Sequence, residues 1–206
     1  MIISLTGFMG CGKSSVGRRL SELLCCSFMD LDEVIVERAG RSIPEIFATD
    51  GEAAFRKMEQ QVLQDIIASA ERHSVPEAPS HLSMGPSPYP GVGKCLFHTY
   101  ASQPIENSTI VLALGGGAVM QEECERMVHE DTVCIYLKAS IETLLSHLEG
   151  EAAGRPLLNS ANSLRERILD LMAKRSATYE RTAHHIIDTD GKTVEDIATE
   201  IIEILF

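Results

Sequence analysis

The chain has 206 residues, of which 44% are hydrophobic and 23% charged, a composition typical of a globular domain with a substantial core. No apolar run approaches the roughly 20 residues of a membrane-spanning helix, and no basic stretch precedes the apolar start, so we expect neither a membrane protein nor a secretory signal. The net charge of −12 argues against a nucleic-acid partner, because phosphate backbones bind basic surfaces, but it does not exclude a nucleotide.

Strands and helices alternate along the first 72 residues. Continuous apolar runs predict buried strands, and apolar residues spaced three and four apart predict helices. The predicted elements are a strand at 2–6, a helix ending near 24, a strand at 27–31, a helix at 33–39, a short helix at 42–47 and a helix from about 49 to 72. Ser42 and Glu45 have the spacing of a capping box, which sets the start of the short helix.

Residues 73–107 interrupt this pattern. A packed helix or central strand cannot hold many prolines, because proline lacks the N–H donor. Six of the eight prolines of the chain lie in this segment, namely Pro76, Pro79, Pro86, Pro88, Pro90 and Pro104. We interpret the segment as a surface loop inserted into a single domain that spans residues 1–206.

The alternation resumes after the insertion. The predicted elements are a strand at 109–114, a helix at 121–128, a strand at 132–137, a helix at 141–148, a flexible segment at 150–156, a helix at 164–179, a strand at 185–188 and a helix at 194–205. Strands that alternate with helices in this way predict a three-layer α/β/α fold with a mainly parallel, five-stranded sheet.

A phosphate-binding loop follows the first strand. Residues 7–14 read GFMGCGKS and match G-x-x-x-x-G-K-[ST] at every fixed position. Glycines let the backbone aim N–H groups inward, the lysine meets the β- and γ-phosphates, and the serine hydroxyl is a ligand for Mg²⁺. The alternative is a chance glycine-rich hairpin, but the strand before the loop and the helix after it favour a P-loop. The predicted ATP-binding residues are Gly10, Cys11, Gly12, Lys13, Ser14 and Ser15.

The chain has six cysteines and no C-x-x-C pair, so a zinc site is poorly supported. Several lie in apolar segments, as buried thiols do, and we predict reduced cysteines and a cytoplasmic protein. Cys11 occupies a free position of the phosphate loop. Its thiol either lies near the nucleotide, with a pKa lowered by the helix start, or is a small filler without a chemical role.

Two carboxylates, Asp30 and Asp32, follow the second strand. Ligands of open α/β sheets bind at the carboxyl ends of the strands, and period-two alternation puts both side chains on one side if the strand continues that far. One carboxylate would then serve Mg²⁺ with Ser14, and the other the acceptor hydroxyl. The structural alternative is that Asp32 caps the next helix.

Six blocks in chain order make the sequence similar to the shikimate kinase family. They are residues 7–14, residues 28–32, residues 51–52 with Phe55, Arg56 and Glu59, residues 115–117, residues 155–158, and Arg175 with Tyr179. The resemblance covers nearly the whole chain except residues 73–107. It implies a P-loop kinase that uses ATP and Mg²⁺ to phosphorylate the 3-hydroxyl of shikimate, in the biosynthesis of chorismate and the aromatic amino acids.

The resemblance also implies roles for individual residues. The catalytic residues would be Lys13, Asp32, which orients or deprotonates the attacking hydroxyl, and Arg155, which reaches the phosphates from a mobile lid at about 149–158. Asp30 and Ser14 would serve the metal. The residues that bind shikimate would be Asp32, Arg56, Gly115, Gly116, Gly117 and Arg175. Glu59 lies three residues after Arg56 on a predicted helix and is placed to orient its guanidinium, and Tyr179 is expected to pack rather than react.

Two features depart from the family pattern. Shikimate kinases often carry another arginine just before the lid, whereas residues 144–154 contain none, and His147 and residues 188–192 are the candidates for the adenine side. The inserted segment at 73–107 is the second feature that departs from the family pattern.

We expect a monomer that binds shikimate, without a nucleic-acid or membrane partner. A related kinase for another acceptor, such as gluconate, and a nucleotide-dependent switch without an acceptor are the rival functions. The pair Arg56 and Arg175, together with the glycines at 115–117, favours shikimate.

Overall fold

A five-stranded parallel sheet forms the centre of the structure. The computed structural model describes residues 1–72, 109–149 and 163–206. The strands are β1 (Ile2–Thr6), β2 (Ser27–Asp30), β3 (Ile110–Ala113), β4 (Val133–Lys138) and β5 (His185–Asp188). Their order in the sheet is β2-β3-β1-β4-β5, and every neighbouring pair is parallel. Strands β1, β3 and β4 are almost entirely buried, as in a sheet covered on both faces. The predicted α/β class and five-stranded sheet are confirmed.

Helices flank the sheet in the part of the chain that the structure describes. They are α1 (Lys13–Leu24), α2 (Leu31–Ala39), α3 (Ile43–Thr49), α4 (Gly51–Arg72), α5 (Glu122–Asp131), α6 (Ile141–Leu148), α7 (Leu164–Thr182) and α8 (Val194–Leu205), with a 3₁₀ turn at Ala118–Met120. Helix α1 packs against α8, whereas α5 packs against α4 and α7, so the helices form two layers. None of these described helices has the length and apolarity needed to cross a membrane.

The boundary between β2 and α2 differs from the prediction for a local reason. The strand ends at Asp30, because the Asp30 carboxylate accepts a hydrogen bond from the backbone N–H of Asp32 and caps α2. The helix therefore begins at Leu31, two residues earlier than predicted, and the capping residue is Asp30 rather than Asp32. The predicted capping box at Ser42 and Glu45 is confirmed.

The described cysteines are of two kinds. Cys11, Cys124 and Cys134 are buried free thiols, Cys26 is a half-buried one, and burial raises the pKa of Cys134 to about 12. Cys25 is disulfide-bonded, so the prediction that all the cysteines are reduced is wrong at this position. Cys25 ends α1 at the surface of the protein.

Candidate active site

The phosphate loop and the two predicted substrate segments meet at the carboxyl edge of the sheet. Strands β1, β2 and β3 are neighbours there, and β1 runs into the phosphate loop, β2 ends at Asp30, and β3 leads to residues 115–117. These segments surround one cavity of about 940 Å³, which is large enough for a nucleotide and a small acid. The predicted residues that line it are Gly10, Gly12, Lys13, Ser14, Ser15, Asp30, Asp32, Arg56, Gly115, Gly116, Gly117 and Arg175.

The phosphate loop has a backbone conformation that glycine adopts readily. Gly7, Gly10 and Gly12 have φ values of 143°, 83° and 94°. The Nζ of Lys13 donates to the carbonyl oxygens of Gly7, at 3.0 Å, and Phe8, at 2.9 Å, so its charge lies over the loop. The first N–H groups of α1 have no acceptor within the helix and form the positive end of its dipole. The loop therefore offers a cation and several donors to a phosphate.

Ser14 and Asp30 are the two residues predicted to serve Mg²⁺. The Ser14 hydroxyl donates to Asp30 Oδ2 at 2.6 Å, so two oxygen ligands of the kind that Mg²⁺ prefers lie together beside the phosphate loop. Among the described residues, no group of three or more His, Cys, Asp or Glu side chains is placed to hold a metal by itself. The pair therefore fits an ion that arrives with the nucleotide and keeps phosphate and water ligands.

Asp32 reaches the cavity from the first turn of α2. Because β2 ends at Asp30, the predicted strand alternation does not apply, although both carboxylates do line the same cavity. A Cβ atom on Gly115 would lie 2.8 Å from Asp32 Oδ1 and 2.7 Å from Glu59 Oε1. Residue 115 is therefore a glycine because two carboxylates occupy the space that a side chain would need.

The other glycines of the 115–117 segment also make room for neighbouring groups. A Cβ atom on Gly117 would lie 2.6 Å from an Arg56 guanidinium nitrogen, and one on Gly116 would lie 3.2 Å from the backbone nitrogen of Met9. The segment thus fits between the phosphate loop and α4. That its N–H groups contact shikimate stays a prediction.

Arg175 is a buried cation with 7% relative exposure. Its Nη1 donates to the Gly116 carbonyl oxygen at 3.1 Å, and the buried Tyr179 hydroxyl donates to the same oxygen. Tyr179 therefore has the expected packing role and also fixes this carbonyl. Within the described ranges Arg175 forms no ion pair, although it interacts with Tyr179 and with the charge of Glu59. Its guanidinium lines the cavity, where a cation of this kind suits an anion.

Arg56 is held between two carboxylates of α4. Its guanidinium donates to Glu59, as predicted, and to Glu52 at 3.1 and 3.3 Å. Glu59 is only 1% exposed, and its Oε1 has no hydrogen-bond partner among the described residues. Burial raises the pKa of Glu59 to about 7, and the charge of Asp32 adds to this effect, whereas Arg56 opposes it. Glu59 therefore orients the Arg56 guanidinium and is also a buried titratable group of the site.

The variant Glu59→Gln is expected to change how stability depends on pH. The pKa of Glu59 is about 7 in the folded protein and near 4.5 ordinarily, so the folded state binds the extra proton and the free energy of unfolding falls as pH rises between these values. Glutamine keeps the shape but does not ionise. Between pH 5 and pH 8 we expect the variant to gain on the order of 2 kcal/mol relative to the parent protein, measured by urea unfolding.

Glu52→Gln is the matched control for this prediction. It removes the exposed partner of Arg56 and leaves Glu59 buried, so its stability difference from the parent protein should be nearly the same at both pH values. If the stability difference between Glu59→Gln and the parent protein is also the same at pH 5 and pH 8, the raised pKa of Glu59 is contradicted.

Two predicted residues are not placed at the cavity. Arg155 lies outside the described residues, as do residues 150–158 of the predicted lid and the whole 73–107 insertion. The Cys11 thiol is buried in the core, and its backbone N–H donates to the Phe8 carbonyl oxygen at 3.2 Å. The Cys11 sulfur lies 3.9 Å from Lys13 Nζ, so the placement of the thiol near the nucleotide stays a prediction, as does any backbone contact of Cys11 with ATP.

The two candidates for the adenine side have different surroundings. His147 lines the cavity, and its Nδ1 lies 2.8 Å from the Gly10 carbonyl oxygen of the phosphate loop. In the segment 188–192, the carboxylate of Asp190 accepts a hydrogen bond from the Ser140 N–H, 3.0 Å away, where α6 begins. Asp190 therefore supports a helix of the site.

An apolar wall of the cavity was not predicted. It includes Ile43, Phe47 and Phe55, and the two phenylalanine rings are 5.0 Å apart. The apolar spacing of α4 assigns Phe55 only to a packed helix face, and no motif marks the short helix α3 as part of a site. Such a wall beside Arg56 suits the carbon skeleton of a small acid.

The chain matches a known family over most of its length. The family model described as shikimate kinase matches residues 9–75 and 98–206. The shikimate kinase of Dictyoglomus turgidum is 35% identical over 98% of this chain and 95% of its own length. A shikimate kinase of Thermus thermophilus is 36% identical over 99% of this chain and 89% of its own length.

Solved structures give the same match. A shikimate kinase from Acinetobacter baumannii in complex with shikimate has a TM-score of 0.76 and 29% identity, covering 99% of this chain and 92% of that chain. The shikimate kinase from Aquifex aeolicus has a TM-score of 0.68 and 28% identity, covering 100% and 96%. Both likenesses extend over nearly the full length of each chain.

Proposed function

The chain belongs to the shikimate kinase family, and from this premise we propose how its own residues carry out the reaction. The protein is an ATP-dependent phosphotransferase that acts on an alcohol group of shikimate, in the biosynthesis of chorismate and the aromatic amino acids. Transfer of the γ-phosphoryl group to the 3-hydroxyl gives shikimate 3-phosphate and ADP.

One observation supports the assignment of residues most strongly. A single cavity joins Lys13 and Ser14 of the phosphate loop to Asp32, Arg56 and Arg175. A nucleotide-dependent switch needs only the phosphate-binding half of the cavity, and not a second half that is lined by an acid and two arginines. A kinase for a hydroxylated carboxylic acid needs both halves next to each other, because the acceptor oxygen must lie in line with the γ-phosphoryl group.

The phosphate loop binds the triphosphate of ATP. Its N–H groups and Lys13 hold the β- and γ-phosphates and neutralise the charge that spreads over the transferring group. Ser14 and Asp30 hold Mg²⁺, which supplies further positive charge to these phosphates when it is bound. Arg155 adds a second cation from the lid at about 149–158.

The second half of the cavity binds the acceptor. Arg56 and Arg175 hold the carboxylate, because a guanidinium fork matches its two oxygens. Asp32 accepts the proton of the 3-hydroxyl, whose oxygen bonds to the γ-phosphorus as the bond from phosphorus to the ADP oxygen breaks. The N–H groups of residues 115–117 contact the acceptor from the third side.

The proposal also covers the domain organisation of the chain. Residues 1–206 form one kinase domain that acts as a cytoplasmic monomer, with a surface insertion at about 73–107. The insertion is supported by the family model, which passes over residues 76–97. The net charge of −12 supports a small-molecule substrate rather than a nucleic acid.

An acceptor panel tests the proposed function. We expect ADP release to require both Mg²⁺ and shikimate in a coupled assay, and gluconate to give no more than the background without an acceptor. Turnover that is faster with gluconate than with shikimate would identify the protein as the related kinase for that other acceptor. Binding of ATP without turnover of any acceptor would favour the nucleotide-dependent switch.

A further inference from the structure

We propose that His147, on the last turn of α6, is a positioning residue of the phosphate loop, and that it sets nucleotide affinity by holding the Gly10 peptide. The inference rests on the proposed function only in taking an adenine nucleotide as the ligand of the loop. His147 Nδ1 lies 2.8 Å from the Gly10 carbonyl oxygen. A carbonyl oxygen only accepts, so Nδ1 carries the proton and donates it.

The peptide between Gly10 and Cys11 is held at both ends. Its C=O accepts from His147, and its N–H donates to the Phe8 carbonyl oxygen at 3.2 Å. The two groups point in opposite directions in a trans peptide, so the two bonds together fix its rotation. Gly10 has a φ of 83°, and no side chain restricts its backbone, so the anchoring must come from these bonds.

Helix α6 supports the loop through a second contact. A Cβ atom on Gly10 would lie 2.9 Å from Leu148 side-chain atoms, so the buried Leu148 packs directly against the glycine. The other end of α6 is fixed by Asp190, which accepts from the Ser140 N–H at 3.0 Å and the Thr143 hydroxyl at 2.7 Å. The helix is thus anchored at its start and touches the loop at its end, as a rigid support requires.

The orientation of this peptide matters to a bound phosphate. With the carbonyl directed to His147, its oxygen is kept away from the phosphates, whose charge it would repel if the peptide turned over. Loss of the His147 bond is therefore expected to weaken nucleotide binding by about three- to tenfold, the effect of one neutral hydrogen bond. Arg56 and Arg175 lie in the other half of the cavity, so acceptor affinity should not change.

Three substitutions separate the Nδ1 donor from the rest of the ring. Asparagine places an N–H donor near the position of Nδ1, glutamine places it farther out, and alanine removes it. By titration calorimetry with MgADP, H147A and H147Q are expected to raise Kd about three- to tenfold, and H147N to stay within about twofold of the parent protein. KM for ATP should follow Kd, with KM for shikimate unchanged in all three variants.

Ser146→Ala is the matched control, because Ser146 lies on the same turn and its hydroxyl bonds within the helix, to the Thr143 carbonyl oxygen. It should bind MgADP like the parent protein. Unchanged MgADP affinity in H147A would overturn the proposal, and so would H147N binding as weakly as H147Q or KM for shikimate rising in parallel. If H147A does not fold, the difference in Kd for MgADP between H147N and H147Q tests the proposal by itself. MgADP binding needs no acceptor, so the test holds whichever acid the protein phosphorylates.

Discussion

Replacing Asp32 by asparagine is expected to lower kcat for shikimate phosphorylation by about 10²- to 10⁴-fold, the usual contribution of a positioned general base. Asparagine keeps the shape of the side chain but cannot take the hydroxyl proton. Asp32 enters the cavity from α2, whereas the phosphates bind to the loop after β1, so Kd for MgADP should change by no more than about twofold. Coupled ADP release gives kcat, and calorimetry gives Kd.

Glu33→Gln is the matched control for Asp32→Asn. Glu33 is the next residue, also lines the cavity, and pairs on the surface with Arg18, so its loss should leave kcat near that of the parent protein. An Asp32→Asn variant with full kcat would remove Asp32 from the chemistry. Loss of MgADP binding in the same variant would show that Asp32 has a structural role in the cavity and not a role in the chemistry.

Arg175→Gln is expected to raise KM for shikimate by at least about thirtyfold, with KM for ATP unchanged. Arg175 is buried, donates to the neutral Gly116 carbonyl oxygen and forms no ion pair within the described ranges, so a carboxylate bound in the cavity would be its direct counter-ion. Truncating one partner of a buried, hydrogen-bonded charge pair costs about 2–5 kcal/mol, which is roughly thirtyfold to several thousandfold in affinity. Shikimate saturation at fixed, saturating ATP measures the effect.

Lys174→Gln makes the same change of charge at the neighbouring position. The Lys174 side chain is 66% exposed and pairs with Asp170, so its loss should leave KM for shikimate unchanged. Equal increases in the two variants would mean that KM responds to the overall charge of the protein, whose net value of −12 repels the shikimate carboxylate, and not to a contact with Arg175. An unchanged KM in Arg175→Gln would place the acceptor carboxylate elsewhere.

Features that depend on neighbouring residues could be predicted from the sequence. The bounds of α6, β5 and α8 are the predicted ones, because an apolar pattern runs through each element and a capping residue, Ser140 or Thr193, precedes each of the two helices. The phosphate loop is contained in eight consecutive residues, so its motif places Lys13 and Ser14 without knowledge of the fold.

Features that depend on tertiary contacts could not be predicted. The start of α2 depends on one hydrogen bond from the Asp32 N–H to Asp30, which strand alternation does not reveal. The raised pKa of Glu59 depends on the way α4 is buried. His147 and Gly10 lie 137 residues apart in the sequence, and only the packing of α6 against the loop brings them together.

The central claim is that one cavity holds nucleotide and shikimate side by side. A crystal structure of the protein with both MgADP and shikimate bound tests it most directly. We predict that the shikimate carboxylate contacts Arg56 and Arg175 and that its 3-hydroxyl lies within hydrogen-bond distance of Asp32, facing the ADP phosphates. Shikimate bound outside this cavity, or with its carboxylate toward the phosphates and its 3-hydroxyl away from Asp32, would contradict the account.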